Sequence, residues 1–189
     1  TRAYVAKIDV SAKGLDDLVE DILNVSRMEQ GRMTFTFAPL APAPLIEEVV
    51  SSFELPAKEK GLSLAFNAEA PSGTNITVDK DRLKQVLVNL VGNAVKYTKQ
   101  GSITVRAYLE NRRYVIRVSD TGLGMSAEEQ EHLFEKFYRV RNDDTKDIRG
   151  TGLGLWITAQ IVRQMKGTIS VESIKGVGSH FIISFPVVG

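Results

Sequence analysis

Residues 102–120, "SITVRAYLENRRYVIRVSD", alternate apolar and polar side chains on both sides of the polar triplet NRR. Side chains along a strand point to opposite faces with a period of two, so this segment predicts a hairpin with one apolar face. Such a face has to be covered by a second layer, and the rest of the chain supplies both the layer and more strands. "LSLAFNAE" (62–69) and "NITVD" (75–79) read as short strands, and "MTFTF" (33–37) alternates like another. "GTISVES" and "SHFIISFPV" form a closing hairpin through "KGVG". Between them lie helical patterns: 44–60 with a kink at Pro56, 81–97 capped by Asp79 or Asp81, 126–137, and "LGLWITAQIVRQM" at 153–165. "APLAPAP" is a proline-punctuated connector. The expected class is α+β: a two-layer α/β sandwich whose mixed, largely antiparallel sheet is backed by helices, preceded by a long N-terminal helix.

That first helix is proline-free over residues 1–30, with Tyr4, Ile8, Ser11, Leu15, Leu18, Ile22 and Val25 at alternating three- and four-residue steps. Val5, Ala12, Val19 and Leu23 widen the stripe to the breadth of a bundle helix, which has no core of its own and must pack on something. Gly31 ends the pattern, so the chain divides into 1–30 and 31–189. It opens inside a helical pattern without an initiator methionine and reads as a piece of something longer. No cysteine is present, which excludes disulfides and thiolate metal sites. A net charge of +1 provides no bulk attraction for nucleic acid. No apolar run approaches the roughly 20 residues of a membrane span.

Three stretches carry candidate chemistry. On the helix 81–97, Leu83, Val86, Leu87, Leu90 and Ala94 form the core stripe. At about 100° per residue, Asn89, Asn93 and Lys96 share an arc of about 60° beside it, with Gln85 and Arg82 at its margins. An asparagine carbonyl suits Mg²⁺ and a lysine suits phosphate, but taken alone the same arc reads first as a solvated helix face. "DTGLG" (120–124) follows a strand directly: Asp120 can accept a hydrogen bond from an exocyclic amine, and its glycines allow close approach, or it is simply a tight turn. "GTGLGL" (150–155) places glycines before an apolar helix, whose N-terminal N–H groups can hold phosphate oxygens. It is neither the dinucleotide fingerprint nor the P-loop.

In this order, the motifs resemble the ATP-binding catalytic region of sensor histidine kinases, a branch of the superfamily that includes gyrase and the mismatch-repair ATPases. "DRLKQVLVNLVGNAVKYT" resembles its asparagine box, "DTGLGM" and "GTGLGL" its glycine boxes, "FEKFYR" its phenylalanine box, and "GVGSHF" a final glycine motif. "LVEDILNVSRMEQG" is similar to the end of the dimerisation and phosphoacceptor hairpin. The resemblance implies the Bergerat ATP-binding fold, with ATP and Mg²⁺ as cofactors. It implies that Asn93 binds Mg²⁺, Asn89 supports the phosphate side, Lys96 and Arg139 contact phosphate, and Tyr97 lies against the nucleotide. Asp120 would read the adenine amino group, while Gly122 and Gly124 shape the base pocket. Gly150, Thr151, Gly152, Leu153, Gly154 and Leu155 would close the phosphate side. Met125–Arg149 would be a lid, mobile in the polar "RNDDTKDIRG", with Phe134 and Phe137 pinning it to the core.

The implied partners are a phosphoacceptor helix of the same or a partner kinase chain, a response regulator receiver domain and, in the full-length protein, a second copy as homodimer, with no nucleic acid. The implied location is cytoplasmic, in a cytoplasmic protein or the cytoplasmic part of a membrane-anchored sensor. ATP-hydrolysing members of the superfamily carry a glutamate base four residues before the metal-binding asparagine; here that position is Asn89, which disfavours hydrolysis. His132 and His180 are the only histidines, and neither has a phosphoacceptor context. The acceptor is expected upstream of Thr1. The alternatives are a nucleotide-binding regulatory module without kinase activity and an ATP-hydrolysing member of the same superfamily.

Overall fold

The computed structural model describes residues 2–140, 144–146, 148 and 150–188, with side chains of the first helix described at 15, 16 and from 18 onward. That helix, α1 (Arg2–Glu29), precedes β1 (Ala38–Leu40), α2 (Pro42–Ser52), α3 (Glu54–Glu59), β2 (Ser63–Ala68), β3 (Ile76–Val78) and α4 (Lys80–Tyr97). There follow β4 (Ser102–Glu110), β5 (Arg113–Asp120), α5 (Ala127–Glu131), α6 (Gly154–Gln164), β6 (Thr168–Ile174) and β7 (Gly178–Pro186). Five strands form one sheet in the order β2-β4-β5-β7-β6. Only β2 and β4 are parallel, because the crossover between them contains α4.

Alternation in the sheet strands does what the sequence pattern requires. Ile103, Val105 and Ala107 of β4, Tyr114, Ile116 and Val118 of β5, and Phe181, Ile183 and Phe185 of β7 are all buried. Helices α2, α4 and α6 cover this face with Leu45, Ile46, Val49, Leu83, Val86, Leu87, Leu90, Ile157 and Ile161. The β4–β5 hairpin turns at Asn111 and Arg112, both with positive φ (49° and 61°), as a right-twisted two-residue turn demands.

Asp79 fixes the start of α4. Its Oδ1 accepts from the N–H groups of Asp81 and Arg82 at 3.0 Å each, and its Oδ2 accepts from Thr36 N–H at 2.7 Å. Burial pushes the carboxyl up, but the three N–H groups outweigh it and hold the group below its ordinary range. A depressed folded-state value means stability that is present above the ordinary carboxylate range and lost as pH falls through the lower folded value. Asp79→Ala is expected to cost about 2 kcal/mol, read as a lower urea midpoint, with a shallower loss of stability in acid than the wild type shows.

Three local expectations are corrected. "MTFTF" forms no strand; β1 begins at Ala38 and pairs antiparallel with β3, while Thr36 gives its N–H to Asp79. The alternation is still used, since Met33 and Phe35 pack on the core. The helix expected at 44–60 breaks at Phe53, three residues before Pro56, because a proline ring excludes a helical carbonyl four positions earlier, at Ser52. The helix expected at 126–137 is only α5, opened by a Ser126/Glu129 capping box. After Glu131 the chain turns so that Leu133 enters the core and Phe137 takes φ 63° to donate its N–H to Gly152 O at 3.0 Å.

Candidate functional site

The polar arc of α4 faces a cavity of about 1050 Å³, bounded by the turn after β5, both ends of the 125–150 segment, the start of α6 and the end of α1. Asn89 Nδ2 donates to Thr158 Oγ1 of α6 at 2.8 Å. Its Oδ1 lies so close to Gly154 that a Cβ there would approach to 2.7 Å. Asn89 therefore ties α4 to the first turn of α6. Asn93 Nδ2 points toward Asn89 Oδ1 at 3.5 Å, which turns its own carbonyl oxygen the other way.

Lys96 is half-buried, with Nζ 5.1 Å from the Tyr97 ring centroid and 2.9 Å from where a Cβ on Gly150 would sit. Burial pushes its ammonium pKa down, and the Arg139 guanidinium pushes it further. Arg139 donates to the carbonyl of Ile148. Two cations thus share one cavity, at a mutual cost that an oligo-anion would relieve. The residues present fit a polyphosphate for this reason.

The third wall is the start of α6. Gly150, Thr151, Gly152, Gly154 and Leu155 line the cavity, and among the described residues no side chain caps the helix at Leu153. Free N–H groups at a helix start can hold an anion. Gly152 holds φ 76°, and a Cβ there would lie 2.8–3.0 Å from backbone atoms of Phe137, so no larger residue fits without strain. Thr151 Oγ1 accepts Leu153 N–H at 3.2 Å and donates to Asp21 Oδ2 of α1 at 2.7 Å.

At the opposite end, Asp120 is 7% exposed and accepts Gly122 N–H at 2.8 Å. Burial pushes its carboxyl up, against the pull of N–H groups from Gly122 and Ser179 and the nearby charge of His180. Gly124, at φ 59°, passes so close to the Ile174 carbonyl that a Cβ would sit 1.9 Å from its oxygen. The floor of this end is backbone packed on backbone.

Of the residues singled out from sequence, Asn89, Asn93, Lys96, Tyr97, Asp120, Gly124 and Arg139 converge on this cavity with the glycine-box residues just named. Three do not line it. Gly122 spends its N–H on Asp120, Leu153 buries its side chain in the core, and Phe137 is 66% exposed. Phe137 therefore pins nothing by its ring; Leu133, 8% exposed, occupies the core instead, and Phe134 is half-buried. Arg141, Asn142, Asp143, Asp147 and Arg149 of the expected lid lie outside the described residues. Sequence reasoning missed Ser179 and Phe181, although both stand in "GVGSHF", and it missed Thr158 and Asp21. Nothing in the local sequence of α1 signals that Asp21 reaches a loop 130 residues away.

Among the described residues no group of three or more His, Asp or Glu is arranged to hold a metal. A cation here would be held by a neutral oxygen such as that of Asn93, together with oxygens of the ligand, which suits a hard ion that keeps few protein ligands.

A two-layer sandwich with an asparagine-bearing helix opposite a glycine-rich helix start is the ATP-binding fold of the gyrase and kinase superfamily. The chain belongs to the histidine kinase-, DNA gyrase B-, and HSP90-like ATPase family, which matches residues 78–189. Its similarity within that family is to sensor histidine kinases. It is 34% identical over 187 residues to the circadian input-output histidine kinase CikA of Synechococcus elongatus, covering 98% of this chain and 25% of that protein. It is 34% identical over 185 residues to the signal transduction histidine-protein kinase BarA of Escherichia coli K12, covering 95% of this chain and 20% of that one. The chain thus spans a quarter or less of these curated relatives. Full-length ShkA, solved in complex with AMPPNP, superposes with a TM-score of 0.84 at 30% identity, over 99% of this chain and 39% of that one. The histidine kinase ThkA, solved in complex with the response regulator protein TrrA, gives 0.75 at 25% identity, over 97% and 50%.

Proposed function

We propose that this chain binds ATP with Mg²⁺ and presents the γ-phosphate to a histidine on a helix outside the chain, for onward transfer to an aspartate of a response regulator receiver domain. The observation that carries the proposal is the pairing of Lys96 and Arg139 in one cavity with the carbonyl of Asn93 beside them. Mg²⁺, when bound, would offset phosphate charge, with Asn93 as its protein ligand. Lys96 and the N-terminus of α6 would hold the phosphates, and Asp120 would receive the adenine amine.

Position 89 separates transfer from hydrolysis. Asn89 cannot take a proton, and its amide is already committed to Thr158. Imidazole is then the better nucleophile, held in line by the partner helix. Neither histidine of this chain can serve. His132 is bonded to Glu135 at 2.8 Å and lies against the Tyr138 ring, outside the cavity. His180 alternates with Ser179 and Phe181, which face the cavity, so it points from the other side of the sheet.

Residues 1–30 would be the second helix of the dimerisation hairpin and 31–189 the catalytic domain. Leu15, Val19, Ile22 and Leu23 are about half exposed or more on α1, as a homodimer bundle would require. No helix among the described residues is long and apolar enough to cross a membrane, which is compatible with a cytoplasmic protein or the cytoplasmic part of a membrane-anchored sensor.

The test uses γ-labelled ATP. The chain alone should bind it, hydrolyse it very slowly and gain no acid-labile label. A longer kinase chain carrying the preceding helix but a disabled ATP site should become labelled when the two are mixed. Stoichiometric phosphohistidine on the 189-residue chain, or rapid phosphate release without any acceptor, would refute the assignment.

A further inference from the structure

The hydroxyl of Ser173, on the edge strand β6, makes three contacts at once. It accepts Met125 N–H at 2.8 Å, and it lies 2.9 Å from both the Gly178 carbonyl and Ser179 Oγ. A hydroxyl has one proton and two lone pairs, and a carbonyl only accepts. With one lone pair taken by Met125, all three contacts are bonds only if Ser173 donates to Gly178 and accepts from Ser179. The Gln130 amide holds the Ser173 backbone in place: its Nε2 donates to Ser173 O at 3.0 Å, and its Oε1 accepts Ser173 N–H at 3.2 Å. Ser179 is 6% exposed and lines the cavity beside Asp120, its cross-strand partner. Both its protons are therefore directed away from a ligand, the N–H to the Asp120 carboxylate and the O–H to Ser173.

We infer that Ser173 is a positioning residue for base selection: by holding the Ser179 proton, it leaves this end of the cavity with lone pairs only. Such a floor suits a base edge that donates and opposes one that presents a carbonyl. The inference rests on the reading of the cavity as a nucleotide site with the base at Asp120. Asp120 alone would oppose a carbonyl placed against it, but a free hydroxyl beside it would turn and donate to that carbonyl. The turn would undo part of the selection, and Ser173 prevents it. Neither Ser173 nor Gln130 lines the cavity, so both act on the base only through Ser179.

Calorimetry with ATP and ITP reads the effect, because hypoxanthine carries a carbonyl where adenine carries its amine and the phosphates are the same. Ser173→Ala should lower the preference for ATP over ITP by about 3- to 10-fold, the worth of one hydrogen bond, chiefly by tightening ITP. Ser173→Thr keeps the hydroxyl and should keep the wild-type ratio. In a Ser179→Ala background there is no hydroxyl to release, so adding Ser173→Ala should move the ratio by less than about 2-fold. Inorganic tripolyphosphate, which has no base, should bind all these chains alike. A second measurement needs no variant: purine riboside triphosphate, with only hydrogen at that carbon, should bind the wild-type chain more tightly than ITP does. Three results would overturn the inference and leave the nucleotide site standing: an unchanged ratio in Ser173→Ala, an equal fall in the Ser179→Ala background, or ITP matching the unsubstituted purine. A parallel loss of tripolyphosphate binding in Ser173→Ala would make the effect structural and overturn it as well. If ATP does not bind the wild-type chain, the reading of the cavity falls too.

Discussion

Asn93→Ala is expected to lower affinity for ATP with Mg²⁺ on the order of 100-fold, while affinity for ADP without metal changes by only a few-fold. The estimate follows from losing a direct ligand, where loss of a supporting contact alone typically costs about 10- to 100-fold. The asymmetry follows from the geometry. Asn93 turns its amide nitrogen toward Asn89 and its carbonyl oxygen elsewhere, and no cluster of acidic side chains among the described residues could replace it as a metal ligand. The phosphates themselves would still find Lys96, Arg139 and the N-terminus of α6. Because Asn89 is bonded mainly to Thr158, truncating Asn93 should leave the α4–α6 contact and the thermal stability nearly intact. Calorimetry with and without Mg²⁺ decides the matter, and equal losses for both ligands would remove Asn93 from the metal site.

Much of this was legible because it is local or periodic. The core stripe of α4 put Asn89, Asn93 and Lys96 on a shared arc without any knowledge of what faced them, and the alternation of β4 and β5 delivered Asp120 to a strand end. What failed depended on competition with distant partners. "MTFTF" has the alternation of a strand, yet Asp79 claims the N–H of Thr36 and pairing with β3 begins only at Ala38. Phe137 has the composition of a core residue, but the bond from its N–H to Gly152 sets a left-handed backbone that turns the ring outward. Asp21 was silent for the plainest reason: on a helix it is one acidic residue among several, and its bond from Thr151 forms where α1 meets the start of α6.

Asp120 should make the chain prefer ATP to GTP by about 10- to 100-fold, and Asp120→Ala should abolish the preference while weakening ATP itself. A carboxylate only accepts hydrogen bonds; adenine offers an amine at the position where guanine offers a carbonyl oxygen. Two acceptors facing each other in a buried site cost about 1–3 kcal/mol or more, which sets the ratio. The surroundings hold the carboxylate in place: Gly122 N–H fixes one oxygen at 2.8 Å, Ser179 supplies a second N–H, and Gly124 packs tightly on Ile174. The arrangement has a cost that can be measured separately. Burial raises the carboxyl pKa of Asp120, so its contribution to stability is fully present below the ordinary carboxylate range and is lost as pH rises through the raised folded value. Thermal unfolding of wild type and Asp120→Ala across that pH interval should therefore converge in slope only once this titration is complete, with the variant lacking the decline. Competition binding completes the test: if GTP displaces a labelled ATP analogue from the wild-type chain as well as ATP does, Asp120 does not face the base.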